Sequence, residues 1–191
     1  ILRGETEAAR FVEVRSETFG QVVSEPLRKG SFVKKNDILC KLDEGTRKTA
    51  LADAAAKLEE AKALIPQTEA KLDEANSRLE EAKINFNAAT KLSQGGYASE
   101  TRVASAEAAM RSAEAGVATA TAGFESTRAR IQSAEAGVAA AEKEIERLII
   151  KAPVEGTLES DTAEIGSLLQ PGALCGTIIQ LNPIKLVGFL P

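Results

Sequence analysis

The stretch LEEAKINFNAATKLSQGGYASETRVASA, residues 79–106, holds the end of one seven-residue ladder, a short polar and glycine break, and the start of a second ladder. Backwards from the break, large apolar residues recur at Phe86, Leu79, Leu72, Ile65, Leu58 and Leu51. Three positions after each stands a small one: Ala89, Ala82, Ala75, Thr68, Ala61 and Ala54. Forwards, Val103, Met110, Val117, Phe124, Ile131, Val138 and Ile145 hold the large position, with Ala106, Ala113, Ala120, Thr127, Ala134, Ala141 and Leu148 three further on. A strict seven-residue period sustained this long specifies a narrow left-handed coiled-coil seam, not the broader stripe of a globular surface helix. With only Ser93-Gln94-Gly95-Gly96 between them, the two helices are expected to be antiparallel neighbours. An intermolecular coiled coil is the alternative, and two matched ladders in one chain favour an intramolecular hairpin.

Each helix should run for roughly 47 residues, about 70 Å at ~1.5 Å per residue. One side of the seam is large and the other is alanine, so little apolar surface is buried per residue. Stability must then come from length and from the low helix-forming cost of alanine. Asp43 is the expected N-cap of the first helix and Ser99 that of the second, because a side-chain oxygen there can accept from the free N–H groups of the next turn. Pro66 falls inside the first ladder and removes one helical hydrogen bond. Ile65 and Leu72 nevertheless stay seven apart, which predicts a kink on the outer face without an end to the helix.

Composition removes most chemistry. The chain of 191 residues has no His, no Trp, one Met and two Cys. Without histidine it lacks the commonest general base and metal ligand, so neither an enzyme nor a transition-metal or cofactor site is expected. The net charge of −4 comes from acidic and basic residues interspersed along the helices, a solvated surface that argues against nucleic acid. Ile1 is not preceded by Met and nothing nearby has the form of a signal peptide, so a processed or trimmed fragment is expected. The uncharged run 165–184 contains Gln170, Pro171, Gly172, Asn182 and Pro183, which suits short strands and a turn better than a membrane helix.

Outside the ladders lies a repeat. Gly20 is followed ten residues on by Gly30-Ser31, two apolar residues, a turn and Leu39-Cys40. Gly156 is likewise followed by Gly166-Ser167, two apolar residues, a turn and Leu174-Cys175. The two stretches align with one residue fewer in the second turn, which makes Cys40 and Cys175 equivalent. Strands are expected at Val12-Glu13-Val14, Gln21-Val22-Val23, Leu148-Ile149-Ile150 and Thr157-Leu158, with turns at Lys34-Lys35-Asn36-Asp37 and Gln170-Pro171-Gly172. Half a module of this size cannot bury a core by itself. Two related halves, each a strand-turn-strand unit, packed face to face can.

The residues Gly20-Gln21-Val22-Val23, Lys29-Gly30-Ser31-Phe32-Val33, Leu39-Cys40-Lys41-Leu42-Asp43 and Ile150-Lys151-Ala152-Pro153-Val154-Glu155-Gly156-Thr157, in this order around a heptad hairpin, resemble the periplasmic adaptors, or membrane fusion proteins, of tripartite efflux pumps, most closely those serving resistance-nodulation-division transporters. The resemblance implies an α+β fold: a long antiparallel coiled-coil hairpin inserted between the two halves of a lipoyl/biotinyl-like β-sandwich, with edge strands of a truncated β-barrel domain. The implied division is 1–11 a strand from the barrel, 12–43 the first lipoyl-like half, 44–147 the hairpin with its tip near 93–98, 148–181 the second half, and 182–191 the barrel again. Lys34 and Lys35 lie in a different turn from the one that carries the cofactor lysine in true lipoyl domains, so no swinging arm is expected.

The implied role is a non-enzymatic adaptor without cofactor, attached to the inner membrane through parts outside this chain. It would bridge an inner-membrane transporter and an outer-membrane channel and self-associate into a trimeric or hexameric ring. An adaptor of an ABC-type exporter or type I secretion system is the alternative. The tip of such adaptors resembles Arg-x3-Leu-x6-Ser. Leu92 and Ser99 have that spacing here, Ala88 stands where the arginine would be, and Lys91 is the nearby charge. The candidate channel contacts are Lys91, Leu92, Gly95, Gly96, Tyr97 and Ser99. Leu92 closing the seam and Ser99 merely capping a helix is the other reading. Gly95 and Gly96 should supply left-handed turn geometry. Ala109, Gly116, Gly123 and Gly137 form a row of small residues beside the second seam, for close approach either to the partner helix, the first expectation, or to a neighbouring copy in a ring. The periplasm would permit a Cys40–Cys175 disulfide, but their apolar strands favour two buried free thiols.

Overall fold

The structure, a computed structural model, describes the backbone of residues 4–188 and the side chains of residues 10–181. It comprises two compact units, one made of residues up to 52 together with those from 139, the other of residues 53–138. The outermost residues of the two expected barrel strands, 1–3 and 189–191, lie outside the described residues.

Three helices carry the ladders: α1 (Arg47–Ala63), α2 (Ile65–Gln94) and α3 (Glu100–Glu146). Every residue of both expected seams is buried or partly buried, while almost all helical positions between them are exposed. The small side of the seam is the tighter one: Ala61, Ala89 and Thr127 are the most deeply buried helical residues. The two seam threonines fit because their hydroxyls donate back to their own helices, Thr68 to the carbonyl of Ile65 at 2.9 Å and Thr127 to that of Gly123 at 3.2 Å. The break is one residue long, at Leu64, two positions before Pro66. Leu64 keeps right-handed helical angles (φ −81°, ψ −14°), the Thr68 N–H reaches its carbonyl at 3.1 Å, and Pro66 itself is exposed, so the one helix expected here is two, α1 and α2, with Pro66 in the first turn of the second.

Ala89→Leu is expected to force the helices apart and destabilise the hairpin by ~1–3 kcal/mol through overpacking. Ala108→Leu, on an exposed position of α3, should change little. Thermal melts of the two variants check the register, which equal shifts would contradict.

The Asp43 cap is a correction. The Asp43 N–H is still bonded to the carbonyl of Gln21 at 2.7 Å, so its backbone belongs to the sheet, and left-handed Gly45 (φ 51°) turns the chain before any helix begins. The Asp43 carboxylate reaches only the Gly45 N–H, at 3.1 Å, and α1 starts at Arg47.

The remaining elements are β1 (Gly4–Arg15), β2 (Gly20–Gln21), β3 (Phe32–Val33), β4 (Ile38–Lys41), β5 (Ile149–Lys151), β6 (Gly156–Leu158), β7 (Leu168–Leu169) and β8 (Leu174–Gly188). They form a four-stranded sheet in the order β1-β8-β6-β3 and two two-stranded pairs, β2-β7 and β4-β5. Every pairing except β6-β8 joins a strand before the hairpin to one after it. The two halves are therefore interleaved, which corrects the expectation of separate strand-turn-strand units packed face to face.

The repeat reappears as a pseudo-twofold hydrogen-bond pattern. Gly20 pairs with Leu169 as Gly156 pairs with Val33. The Gly30 N–H donates to Leu158 as the Gly166 N–H donates to Val22, and the Asn36 N–H to Ala152 as the Gly172 N–H to Ser16, each at 2.8 Å. Asn36 (φ 74°) and Gly172 (φ 87°) hold equivalent left-handed turn positions, which asparagine and glycine tolerate best. The offset stays constant through the next strand: Ile38 pairs with Lys151 as Leu174 with Arg15, and Cys40 with Ile150 as Gly176 with Val14. No residue is missing from the second turn. Cys40 thus corresponds to Gly176, and Leu39 to Cys175, both at a β-bulge.

The core mirrors the same symmetry, with Val22 and Leu158, Leu42 and Ile178, and Val14 and Ile150 buried in matching places. Cys40 and Cys175 lie in this core as a disulfide, with Cα atoms 6.3 Å apart, so the expected free thiols are corrected. The one-residue offset puts both side chains inside, and proximity within a shared core is information that strand composition does not carry.

Outside the core, the loops before β3 and before β7 are clasped together. Arg28 donates to Asp161 and to Glu164 at 3.0 Å, the Lys29 N–H to Asp161 at 2.6 Å, and the Leu27 N–H to the Thr162 hydroxyl at 2.8 Å. The Lys29 N–H first and the Arg28 guanidinium second hold the Asp161 carboxyl below the ordinary aspartate range. A carboxyl depressed in the folded state contributes its stabilisation in full above the ordinary range, and the contribution is lost as pH falls through the folded value. Asp161→Asn should therefore flatten the acid limb of stability. Urea melts from about pH 6 down to about pH 2 measure it, and an unchanged pH slope would contradict the clasp.

Candidate functional site: the hairpin tip

The chain turns between α2 and α3 in five residues, 95–99. The Tyr97 N–H donates to the carbonyl of Leu92 at 2.8 Å and the Gly96 N–H to that of Ser93 at 2.9 Å, the pair of bonds of a Schellman motif. The two glycines serve different ends. Gly96 has the left-handed conformation (φ 81°), whereas Gly95 is right-handed (φ −82°), which corrects the shared role expected of them. Gly95 provides space: a Cβ there would come within 3.0 Å of the Tyr97 ring, which would have to shift by a few tenths of an ångström. Tyr97 thus lies over Gly95 and remains 85% exposed, with Leu92 44% exposed one turn back.

On the far side of the turn the Ser99 hydroxyl accepts from the Arg102 N–H at 3.3 Å and lies 2.8 Å from the Thr101 hydroxyl. This is the expected N-cap of α3. Lys91 in the last turn of α2 and Glu100 in the first turn of α3 complement the helix dipoles. The tip therefore brings Lys91 and Leu92 of the last turn of α2 together with Gly95, Gly96, Tyr97 and Ser99 of the turn that follows, and presents a leucine and a tyrosine to solvent beside a hydrogen-bonded turn.

Ala109, Gly116, Gly123 and Gly137 are all exposed, and a Cβ added to any of the three glycines would meet nothing within 4 Å. Their expected role in close approach to the partner helix is corrected: the seam alanines perform it. Ala109, Gly116 and Gly123 instead line one wall of an open groove of about 860 Å³ along the helical unit. Its floor includes Ala82 and Ala113, and the wall opposite is charged, with Lys71, Glu74 and Arg78. That charged wall and the hydroxyls of Ser112 and Thr119 escaped sequence reasoning. Their signal is the recurrence of small or hydroxyl residues at two outer heptad positions of α3.

Among the described residues no helix is long and apolar enough to cross a membrane, and no cluster of side chains could hold a metal ion. No protein-family model matches the chain, and no curated protein sequence matches it. Solved structures do. The chain is similar to MacA from Actinobacillus actinomycetemcomitans (23% identity, TM-score 0.73), with 97% of this chain and 54% of that one covered. It is similar to the periplasmic adaptor protein EmrA (16% identity, TM-score 0.54), with 97% and 77% covered. The membrane fusion protein Spr0693 from Streptococcus pneumoniae R6 also matches (15% identity, TM-score 0.58), with 96% and 67% covered. The fold is thus that of the membrane fusion proteins, a helical hairpin set between the halves of a lipoyl-like domain. The chain spans about half the length of the MacA chain it matches.

Proposed function

We propose that the chain is the hairpin and lipoyl-like portion of a periplasmic adaptor that bridges an inner-membrane transporter and an outer-membrane channel in a tripartite efflux pump. The observation carrying this reading is the tip, where Leu92 in the last turn of α2 and Tyr97 in the five-residue turn that follows are both exposed, at the end of a helical unit whose other exposed residues are largely charged or small. Exposed apolar anchors on fixed backbone lose little entropy on docking. Ser99 adds a hydroxyl and Lys91 a charge beside them.

The Leu92 and Ser99 spacing favours a resistance-nodulation-division transporter as the inner-membrane partner. Ala88 in the arginine position favours the second reading, an ABC-type exporter or type I secretion system. Copies associate in a ring of three or six, with Ala109, Gly116, Gly123 and Gly137 as the packing stripe, because small side chains permit close approach of a neighbouring helix. Complementation tests the reading. Cells lacking the protein should accumulate exported dyes and lose tolerance to exported solutes, and the wild-type gene should restore both. Dye accumulation that does not respond to the gene would overturn it.

A further inference from the structure

Cys40 and Cys175 are the only cysteines of the chain, stand 135 positions apart, and form a disulfide whose residues are 0% and 1% exposed. The bond ties β4, the last strand before the hairpin, to β8 of the four-stranded sheet. The β4-β5 pair is otherwise hydrogen-bonded to that sheet by none of its own strand pairings. Thiol–disulfide exchange requires a thiolate to reach a sulfur of the other disulfide directly. Around these sulfurs Leu39, Leu42, Leu158 and Ile178 close the same core, each 0–1% exposed, and leave no approach for a reagent.

We propose that the Cys40–Cys175 bond is made by an external disulfide oxidant before the β domain closes, and that closure then seals it against exchange. One chain thiolate attacks the oxidant's disulfide, forming a mixed disulfide and releasing one thiolate. The second chain thiolate attacks the chain sulfur of that mixed disulfide and releases the other. The two chain thiols are oxidised, the oxidant's disulfide is reduced to two thiols, and the two protons pass to those thiols. The hairpin makes the encounter feasible. Its contacts nearest the tip are local and form fast, and zipping it brings the flanks of β4 and β5 together, which shortens the loop that must close. With two cysteines only one intramolecular pairing exists, so no isomerisation step is needed. The oxidant is defined by chemistry, a small or protein disulfide of an oxidising compartment.

The test uses the full chain, reduced and denatured, with glutathione disulfide as the oxidant and thiol alkylation as the readout. Oxidant added after refolding in dithiol-free buffer should act at least about tenfold more slowly than oxidant added in denaturant. A reduced chain whose β domain stays open until oxidant arrives supports the same order of events. Equal rates in the two arms, with the β domain of the reduced chain shown by amide hydrogen exchange to be closed before oxidant is added, would overturn the proposal. In the reverse direction, dithiothreitol should leave the bond of the folded chain intact over hours and cleave it within minutes in denaturant. Cleavage at one common rate, or two free thiols in protein purified from an oxidising compartment, would equally overturn it.

Discussion

Leu92→Asp is expected, on the proposed adaptor role, to abolish the solute tolerance that a pump assembled with this chain would confer, while leaving the fold intact. Leu92 contributes its carbonyl to the turn by accepting from the Tyr97 N–H, and that bond does not depend on the side chain. Its 44% exposed side chain is spare for a partner. A carboxylate in its place would have to be desolvated against the channel, and losing one apolar anchor at an interface commonly costs ~1–3 kcal/mol or more. Expression, helix content and association with the inner-membrane transporter should be unchanged. Ser99→Ala separates recognition from capping: loss of the cap alone costs ~1 kcal/mol and would leave tolerance near the wild-type level, so a clear fall in tolerance at unchanged helix content reports the contact of the hydroxyl with the channel. Full tolerance in Leu92→Asp at normal expression would show that this tip docks no channel.

The second large effect lies in the β domain, at a pair of glycines related by the repeat. A Cβ on Gly156 would sit 2.5 Å from the carbonyl oxygen of Ile179 and 2.7 Å from Cγ2 of Ile178, both on the neighbouring strand β8. Backbone cannot step aside there without breaking the β6-β8 pairing, so Gly156→Ala should destabilise the domain by about 3 kcal/mol. Gly20 is its counterpart, but its Cβ would meet the Leu42 side chain at 3.0 Å, where a small shift of one residue suffices. Gly20→Ala should therefore cost less than half as much. Urea melts of the two variants compare them directly. Equal losses would mean that the approach of β8 to β6 is not the constraint.

The seam positions of the helical half were readable to the residue, because a heptad ladder writes the same burial instruction again and again, whereas the start of the first helix, taken at Asp43, was not. The tip glycines were readable as a turn, though not in their separate roles: the space that Gly95 provides is set by where the Tyr97 ring falls. The β half was readable only in outline. Several of its strands are two residues long, too short to carry a period, and are placed instead by partners across the hairpin. The repeat survived because its glycines and apolar pairs are conspicuous. Its phase slipped at the turn because the likeness of Leu39-Cys40 to Leu174-Cys175 outweighed the two β-bulges, which leave no mark in composition. The groove was half visible. The small residues of α3 stood out, whereas the charged wall on α2 was read only as a solvated face.

The most direct test of the account is where along the hairpin the channel is met. A photo-activated cross-linker placed at Tyr97 in the full-length protein, in cells that assemble the pump, should capture an outer-membrane protein. The same cross-linker at exposed Lys57, far along α1 from the turn, should not. Capture at Tyr97 alone, lost again in the Leu92→Asp background, is the predicted result. Capture of the channel from Lys57 and not from Tyr97, or of no outer-membrane protein from either position, would contradict the claim that the tip is the docking site.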